Sequence, residues 1–387
     1  MLNTITGVGN GNVAPFAPTL IVTNPVGPFS NPYLGITNPF PAAQPPPKNV
    51  TFPAPLAVAA VDSSHKNLVT PLMYNWNLAV ERQLAPGWLA RVAYVASHGS
   101  HLRDLVQLNP AVYIPGSPLS PDQRRVFPGY SSIFQTSVDV NSSYQSGQVS
   151  MEKRISQNGL FHGVTLLANY TFSKSIDTAP VGGAVIGAGV STIPFWSAGR
   201  RNMDRGLSDF NHAHRVVVSY VWPLPKLSSL NRFAQGILGA WELTGLMSAQ
   251  TGFPFTVLAG QDQSQTALGQ DRAVVTGDPY GPGACGNKAR CVDFLNRKSF
   301  ALPAIGTFGN VGKDALTGPG SLTWDVGIFK NFPFHETYKV QVRAEFFNVL
   351  NRANFNNPSN AVTAGAFGSI TSAADPRIGQ LALKIVF

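Results

Sequence analysis

Charge is what this sequence has least of. Lys, Arg, Asp and Glu make up 12% of its 387 residues, against about 25% in an ordinary soluble domain. A surface so poor in charge is hard to explain as one bathed in water throughout. No stretch of eighteen apolar residues occurs, which excludes a transmembrane helix. The opening MLNTITGVGN lacks a basic segment followed by a compact apolar one, so no secretory signal is read there. From Met1 to Pro47 there is neither a charged residue nor a histidine, while prolines recur. Proline has no amide donor and fixes φ, so that stretch is expected to form neither helix nor central strand. Residues 1–73 therefore read as a Pro- and Gly-rich irregular segment, an external loop.

Cysteine is nearly absent: Cys285 and Cys291 are the two. Two thiols cannot hold a structural zinc alone, and their spacing matches no redox motif. A local disulfide in an oxidising compartment and a pair of unpaired thiols in a turn-rich loop both fit. The 28 Lys and Arg against 19 Asp and Glu leave a formal charge of +9. Without a dense basic run, an RNA-reading motif or a zinc-finger pattern, no nucleic-acid partner is expected.

Signatures of chemistry are missing too. There is no Gly-x-Ser-x-Gly elbow. GVGNGNV at 7–13 lies among prolines, and GNVGKD at 309–314 lacks the Ser or Thr that a phosphate-binding loop needs after Lys313. In NHAHR, His212 and His214 would share a strand face, but a metal needs a third ligand such as Asp204 or Asp209; a solvated loop end is the simpler reading. His98 and His101 in SHGSH suggest still less. Arg200, Arg201 and Arg205 form a basic group suited to anionic sugar or lipid headgroups, or simply to water. No cofactor, metal site or enzymatic activity is expected.

What is present is alternation. In YKVQVRAEFFNVLN, Tyr338, Val340, Val342, Ala344 and Phe346 alternate with Lys339, Gln341, Arg343 and Glu345. A period of two is that of a strand with one apolar and one charged face. Similar stretches fall at 74–84, 87–97, 143–156, 160–174, 213–224, 237–252, 322–332, 338–350 and 377–387, with a weak tenth before or within 126–140. The gaps 85–86, 157–159, 225–236 and 333–337 are short, whereas 98–142, 175–212, 253–321 and 351–376 are long and rich in turn residues. Short and long alternate to the C-terminus.

This pattern predicts an all-β fold, an antiparallel up-and-down transmembrane barrel with about nine or ten long strands, long extracellular loops and short periplasmic turns. The stretches hold about ten to fifteen residues, as tilted membrane strands require, rather than the ~5–6 of soluble strands. Trp88, Trp222, Trp241, Phe332, Tyr338 and Phe387 fall at the short-turn ends, and Trp76, Tyr170, Phe172, Trp324 and Phe346 toward the long-loop ends. Two such aromatic belts suit two lipid–water boundaries. The apolar face of 338–350 would meet lipid, and Lys339, Gln341, Arg343 and Glu345 would face the lumen.

YNWNLAVERQL, VAYVASHGSHL, DRGLSDFNHAHRVVVSYVWPLP, GAWELTGLMSAQTGFPFTV, GPGSLTWDVGIFKNF, VQVRAEFFNVLNRANFNNP and DPRIGQLALKIVF resemble, in the family's order, the C-terminal barrel half of TonB-dependent outer-membrane receptors. The resemblance is to the Oar-like group, which carries a carboxypeptidase-regulatory-like domain. It covers about residues 74–387 and implies uptake of scarce ligands or movement of larger cargo, energised through TonB. The family's plug, TonB box and accessory domain have no counterpart here, and such barrels have ~22 strands. The chain therefore reads as a truncated, distal part of a receptor, whose partners would be outer-membrane lipid, the missing strands and plug, and TonB in the full-length protein. GQLALKIVF also resembles the terminal signal read by the barrel assembly machinery, with Gly379, Leu381, Leu383, Ile385 and Phe387 carrying it through edge pairing. The competing readings are a secreted adhesin and a closed porin of about ten strands.

Overall fold

The computed structural model describes residues 56–62, 69–154, 163–181, 200–224, 231–269, 271–281, 293–333 and 338–386, with 34, 191, 193–194 and 197. Nine long strands carry the architecture: β1 Leu72–Ala85, β2 Trp88–Gln107, β3 Tyr130–Lys153, β4 Thr165–Asp177, β5 His214–Pro223, β6 Glu242–Gln250, β7 Ser321–Pro333, β8 Lys339–Phe347 and β9 Ile378–Val386. Each pairs antiparallel with its sequence neighbour, so the sheet runs β1 to β9 in chain order. The predicted all-β, up-and-down architecture is therefore what forms. The path ends at β1 and β9, which do not pair with each other, and the sheet is open.

The β3 strand absorbs the weak tenth strand. Residues 98–142 hold no additional crossing of the sheet; β2 runs on to Gln107 and β3 already begins at Tyr130. Their pairing continues through register shifts near Gly99 and Leu102 to Gln107 opposite Phe134. The hairpin thus projects past the end of β1. Against its tip, Leu56–Asp62 pairs parallel with residues 130–136 of β3, so part of the segment expected to be irregular is strand.

The second difference is at 225–241. A strand from residue 237 was expected, but a helix, α1 (Arg232–Leu238), occupies this connection and β6 starts at Glu242. The side chain of Asn231 caps it by accepting from the Ala234 N–H at 2.8 Å. Gly239 closes it by donating to the Gln235 carbonyl.

Little of the sheet's apolar face is covered by the other described residues. The compact hydrophobic core lies in the loops, where Phe255, Val257, Phe294, Leu295, Phe300, Val311, Phe367 and Ile370 pack together. At about 1.5–3 kcal/mol for each fully buried large side chain, this cluster is enough to order long connections. Backbone bonds lace the β6–β7 and β8–β9 loops into one lobe: Leu258 N–H donates to Asn360 O at 2.8 Å, and Phe294 N–H to Gly368 O at 2.9 Å. The β2–β3 loop joins through Ala111 N–H to Thr266 O at 2.7 Å and the Arg124 guanidinium to Gln265 Oε1 at 2.9 Å.

Candidate functional site

The cross-strand register sorts the side chains of all nine strands onto two faces. On one face Leu78, Tyr94, Gly147, Phe172, His214, Ala249, Leu322 and their alternate neighbours follow one another through the ladders. This row ends on β8 and β9, where Ala344 stands opposite Leu381, Val342 opposite Leu383 and Val340 opposite Ile385. Leu78 is 70% exposed, Val80 66%, Leu381 83% and Leu383 70%. An apolar face of this extent needs an apolar surrounding.

Two lysines on this face, Lys153 and Lys330, lie at the short-turn end and are tied down there. The Nζ of Lys153 donates to the Val164 carbonyl at 3.0 Å and lies 6.0 Å from the Trp88 ring centre. The Nζ of Lys330 donates to the Gly239 carbonyl and lies 5.6 Å from the Trp241 ring and 5.2 Å from the Phe332 ring. Both charges therefore sit under aromatic rings at a boundary level, where a stem can remain in hydrocarbon while its head is satisfied. At the opposite end the partners of the rings are histidines. His98 stacks on Tyr74, and His214 stacks on Tyr170 while its Nδ1 shares a hydrogen bond of 2.8 Å with the tyrosine hydroxyl.

The other face carries the charged side chains of the strands, mixed with apolar ones such as Leu167, Val221, Leu246 and Phe347. Glu81 and Arg91 approach to 3.4 Å across β1 and β2. Of the residues expected to face the lumen, Glu345 accepts from the Gln380 amide at 2.5 Å and Gln341 donates to Asn331 Oδ1 at 3.0 Å. Arg343 lies 4.5 Å over the Phe329 ring, and Lys339 pairs in register with Pro333 and Val386. A hollow of about 390 Å³ opens in the sheet, with Ser219, Thr244, Asp325, Gly327, Phe329 and Glu345 on its wall. Glycine at 327 keeps it open, since a Cβ there would fall 2.7 Å from Phe329 Cζ and 2.8 Å from Thr244 Oγ1.

Above the sheet, buried charges fasten the lobe to the strands. Lys313 reaches Asp177, the last residue of β4, with both side chains buried. Arg272 binds Asp204 at 2.5 Å and the Met203 carbonyl at 2.6 Å. Burial pushes the Asp314 carboxyl up to about 7, reinforced by Asp209, while Thr256 and Lys313 oppose the rise. Burial also raises Asp271 to about 6, against hydrogen bonds from Ser264.

These contacts separate the metal candidates. His212 Nδ1 donates to the Thr251 carbonyl at 2.6 Å, His214 is committed to Tyr170, and Asp204 to Arg272. Among the described residues no three His, Cys, Asp or Glu side chains assemble as ligands. His101 lies in the upper part of β2 at a φ of 56°. Arg205 and Arg272 line a second cavity of about 320 Å³ in the lobe. The side chains of Arg200 and Arg201, together with Cys285, Cys291 and Phe387, lie outside the described residues. Gly379, Leu381, Leu383 and Ile385 lie on β9, the free edge of the sheet.

Asparagines perform a role that strand periodicity does not reveal. Asn348 and Asn351 adopt positive φ of 48° and 49°, which this residue type tolerates well. Asn348 donates to the Arg352 and Asp375 carbonyls, while Asn354 exchanges hydrogen bonds with the Leu322 backbone. They turn β8 into the lobe. Repeated Asn in FFNVLNRANF is the local sequence signal for this.

No curated protein matches the sequence. Among solved structures, the chain is similar to the outer membrane transporter YddB from Escherichia coli, with 11% identity and a TM-score of 0.46, covering 84% of this chain and 34% of that one. The chain thus spans about a third of that transporter's length. A family profile described as "Outer membrane beta barrel domain" matches residues 2–380. With an unbroken apolar face on nine antiparallel strands, the chain belongs to the outer membrane β-barrel domain family and resides in the outer membrane, embedded in its lipid.

Proposed function

We propose that the chain forms part of the wall of a TonB-dependent, Oar-like receptor, with its lobe of long loops as the external ligand-contacting surface and no catalytic role. The observation that carries the reading is the combination of an open nine-strand sheet with a lobe built from loops at one end only. Nine alternating strands leave β1 and β9 running in the same direction. An antiparallel seam therefore takes an odd number of further strands, whereas direct closure would make a parallel seam. Unpaired edge amides in hydrocarbon cost several kcal/mol each, so such strands have a strong reason to join.

The inner face offers Asp325, Glu345, Arg343 and the 390 Å³ hollow to water or to a plug. The exposed β9 edge supports recognition of its alternate residues by the assembly machinery. A closed small porin would need β1 against β9, a pairing the sheet does not contain.

The test is photo-crosslinking in outer membranes from reactive groups placed at Ala79 on β1 and Lys384 on β9. Capture of further β-strands, and of TonB by the assembled complex, is the expected result. A single species with residue 79 linked to residue 384 of the same chain would establish self-closure and overturn the receptor-wall reading.

A further inference from the structure

At the short-turn end, α1 presents an apolar surface over which none of the described residues packs. None of its residues is buried; Phe233 is 79% exposed, Leu238 58% and Ile237 45%. At 3.6 residues per turn, Phe233, Ala234, Ile237 and Leu238 fall in one arc, and the exposed Arg232 and Gly236 lie across from it. Left in water, that arc would have no reason to stay displayed.

Its placement says what covers it. The Trp241 indole N–H donates to the Ile237 carbonyl at 2.9 Å, and Lys330 donates to Gly239, which caps the helix. Lys330 stands opposite Val342 and rises from the same face as Ile328 and Phe332, which stand opposite Ala344 and Val340. The helix end is therefore fastened on the membrane-facing side of the wall, beside the boundary rings of Trp241 and Phe332. The apolar arc continues the surface already in contact with lipid.

We propose that α1 is an interfacial anchor lying in the headgroup layer of the periplasmic leaflet. Phe233, Ile237 and Leu238 insert among phospholipid acyl chains, with Arg232 at the phosphates and Gly236 toward water. This inference rests on the membrane-wall reading and adds a second, non-strand contact with the bilayer.

The test uses the full chain with Cys285→Ser and Cys291→Ser, in vesicles of phosphatidylethanolamine and phosphatidylglycerol. Nitroxides are placed one at a time at Phe233→Cys, Leu238→Cys, Gly236→Cys and, as wall reference, Leu383→Cys. Labels at 233 and 238 should collide with oxygen in preference to a nickel chelate, as at 383, at depths of ~5–10 Å; the label at 236 should show the reverse. Aqueous behaviour at 233 and 238 while 383 reports lipid would overturn the anchor and leave the wall intact. Exclusion of both reagents at 233 and 238 would also overturn it, by showing a protein partner. Aqueous behaviour at 383 as well would remove the wall reading and the anchor together.

Discussion

Lys313 meets Asp177 inside the protein, joining a loop between β6 and β7 to the last residue of β4. Removing one member leaves the other charged and buried, so Lys313→Ala is expected to weaken attachment of the lobe by about 3–5 kcal/mol. Hydrogen exchange should rise in 253–317 while the strands below Asp177 keep their protection. Unchanged exchange in the loops would show that the lobe is held by its apolar cluster alone.

Gly206 tests the same junction through space instead of charge. It pairs with Asp177, and a Cβ on it would fall 2.2 Å from the Lys313 carbonyl oxygen. Because the obstacle is backbone, Gly206→Ala should destabilise the lobe by roughly 1–3 kcal/mol. Proteolysis of the loops in detergent would report it, and Gly147→Ala, whose added Cβ has open space around it, serves as the reference.

The buried carboxyl of Asp314 predicts a pH dependence. Its pKa, pushed up to about 7, lies above the ordinary carboxylate value of 3.8, so the folded lobe binds a proton that the unfolded chain releases. Its contribution is therefore fully present below about pH 4, falls as pH rises toward 7, and levels off once the folded carboxyl is ionised. Asp271, at about 6, adds in the same direction. Thermal unfolding of the loops between pH 4 and 8 should show this decline, and Asp314→Asn should flatten most of it.

Leu383, 70% exposed and opposite Val342, is assigned to lipid contact. Leu383→Arg should cost ~2–4 kcal/mol if the position lies near the bilayer midplane. Equilibrium folding into vesicles measures it. Lys384→Ala on the polar face should change that equilibrium little, and equal effects would contradict the assignment of faces.

The wall was legible because strand periodicity is local. Tyr338 to Phe346 declare their two faces within nine residues, and the ladders carry that alternation across the sheet. The lobe was not legible, since Phe255 and Phe294 lie far apart in one loop, Phe367 lies in another, and without a repeat they meet only in three dimensions. The helix escaped for a third reason. ILGAWEL joins α1 to β6 without a break in hydrophobicity, and the Asn231 cap that starts the helix lies in the preceding polar run. Gly379 to Ile385 lie on a free edge of the sheet, and their role as a terminal signal rests on resemblance alone.

The β2–β3 hairpin is much taller than a bilayer demands. With 24 residues in β3, at ~3.3 Å each and tilted about 40°, it would rise roughly 60 Å against a hydrocarbon thickness of ~30 Å. About half of that height must therefore stand clear of hydrocarbon, braced by the Leu56–Asp62 strand and by the lobe that Ala111 joins.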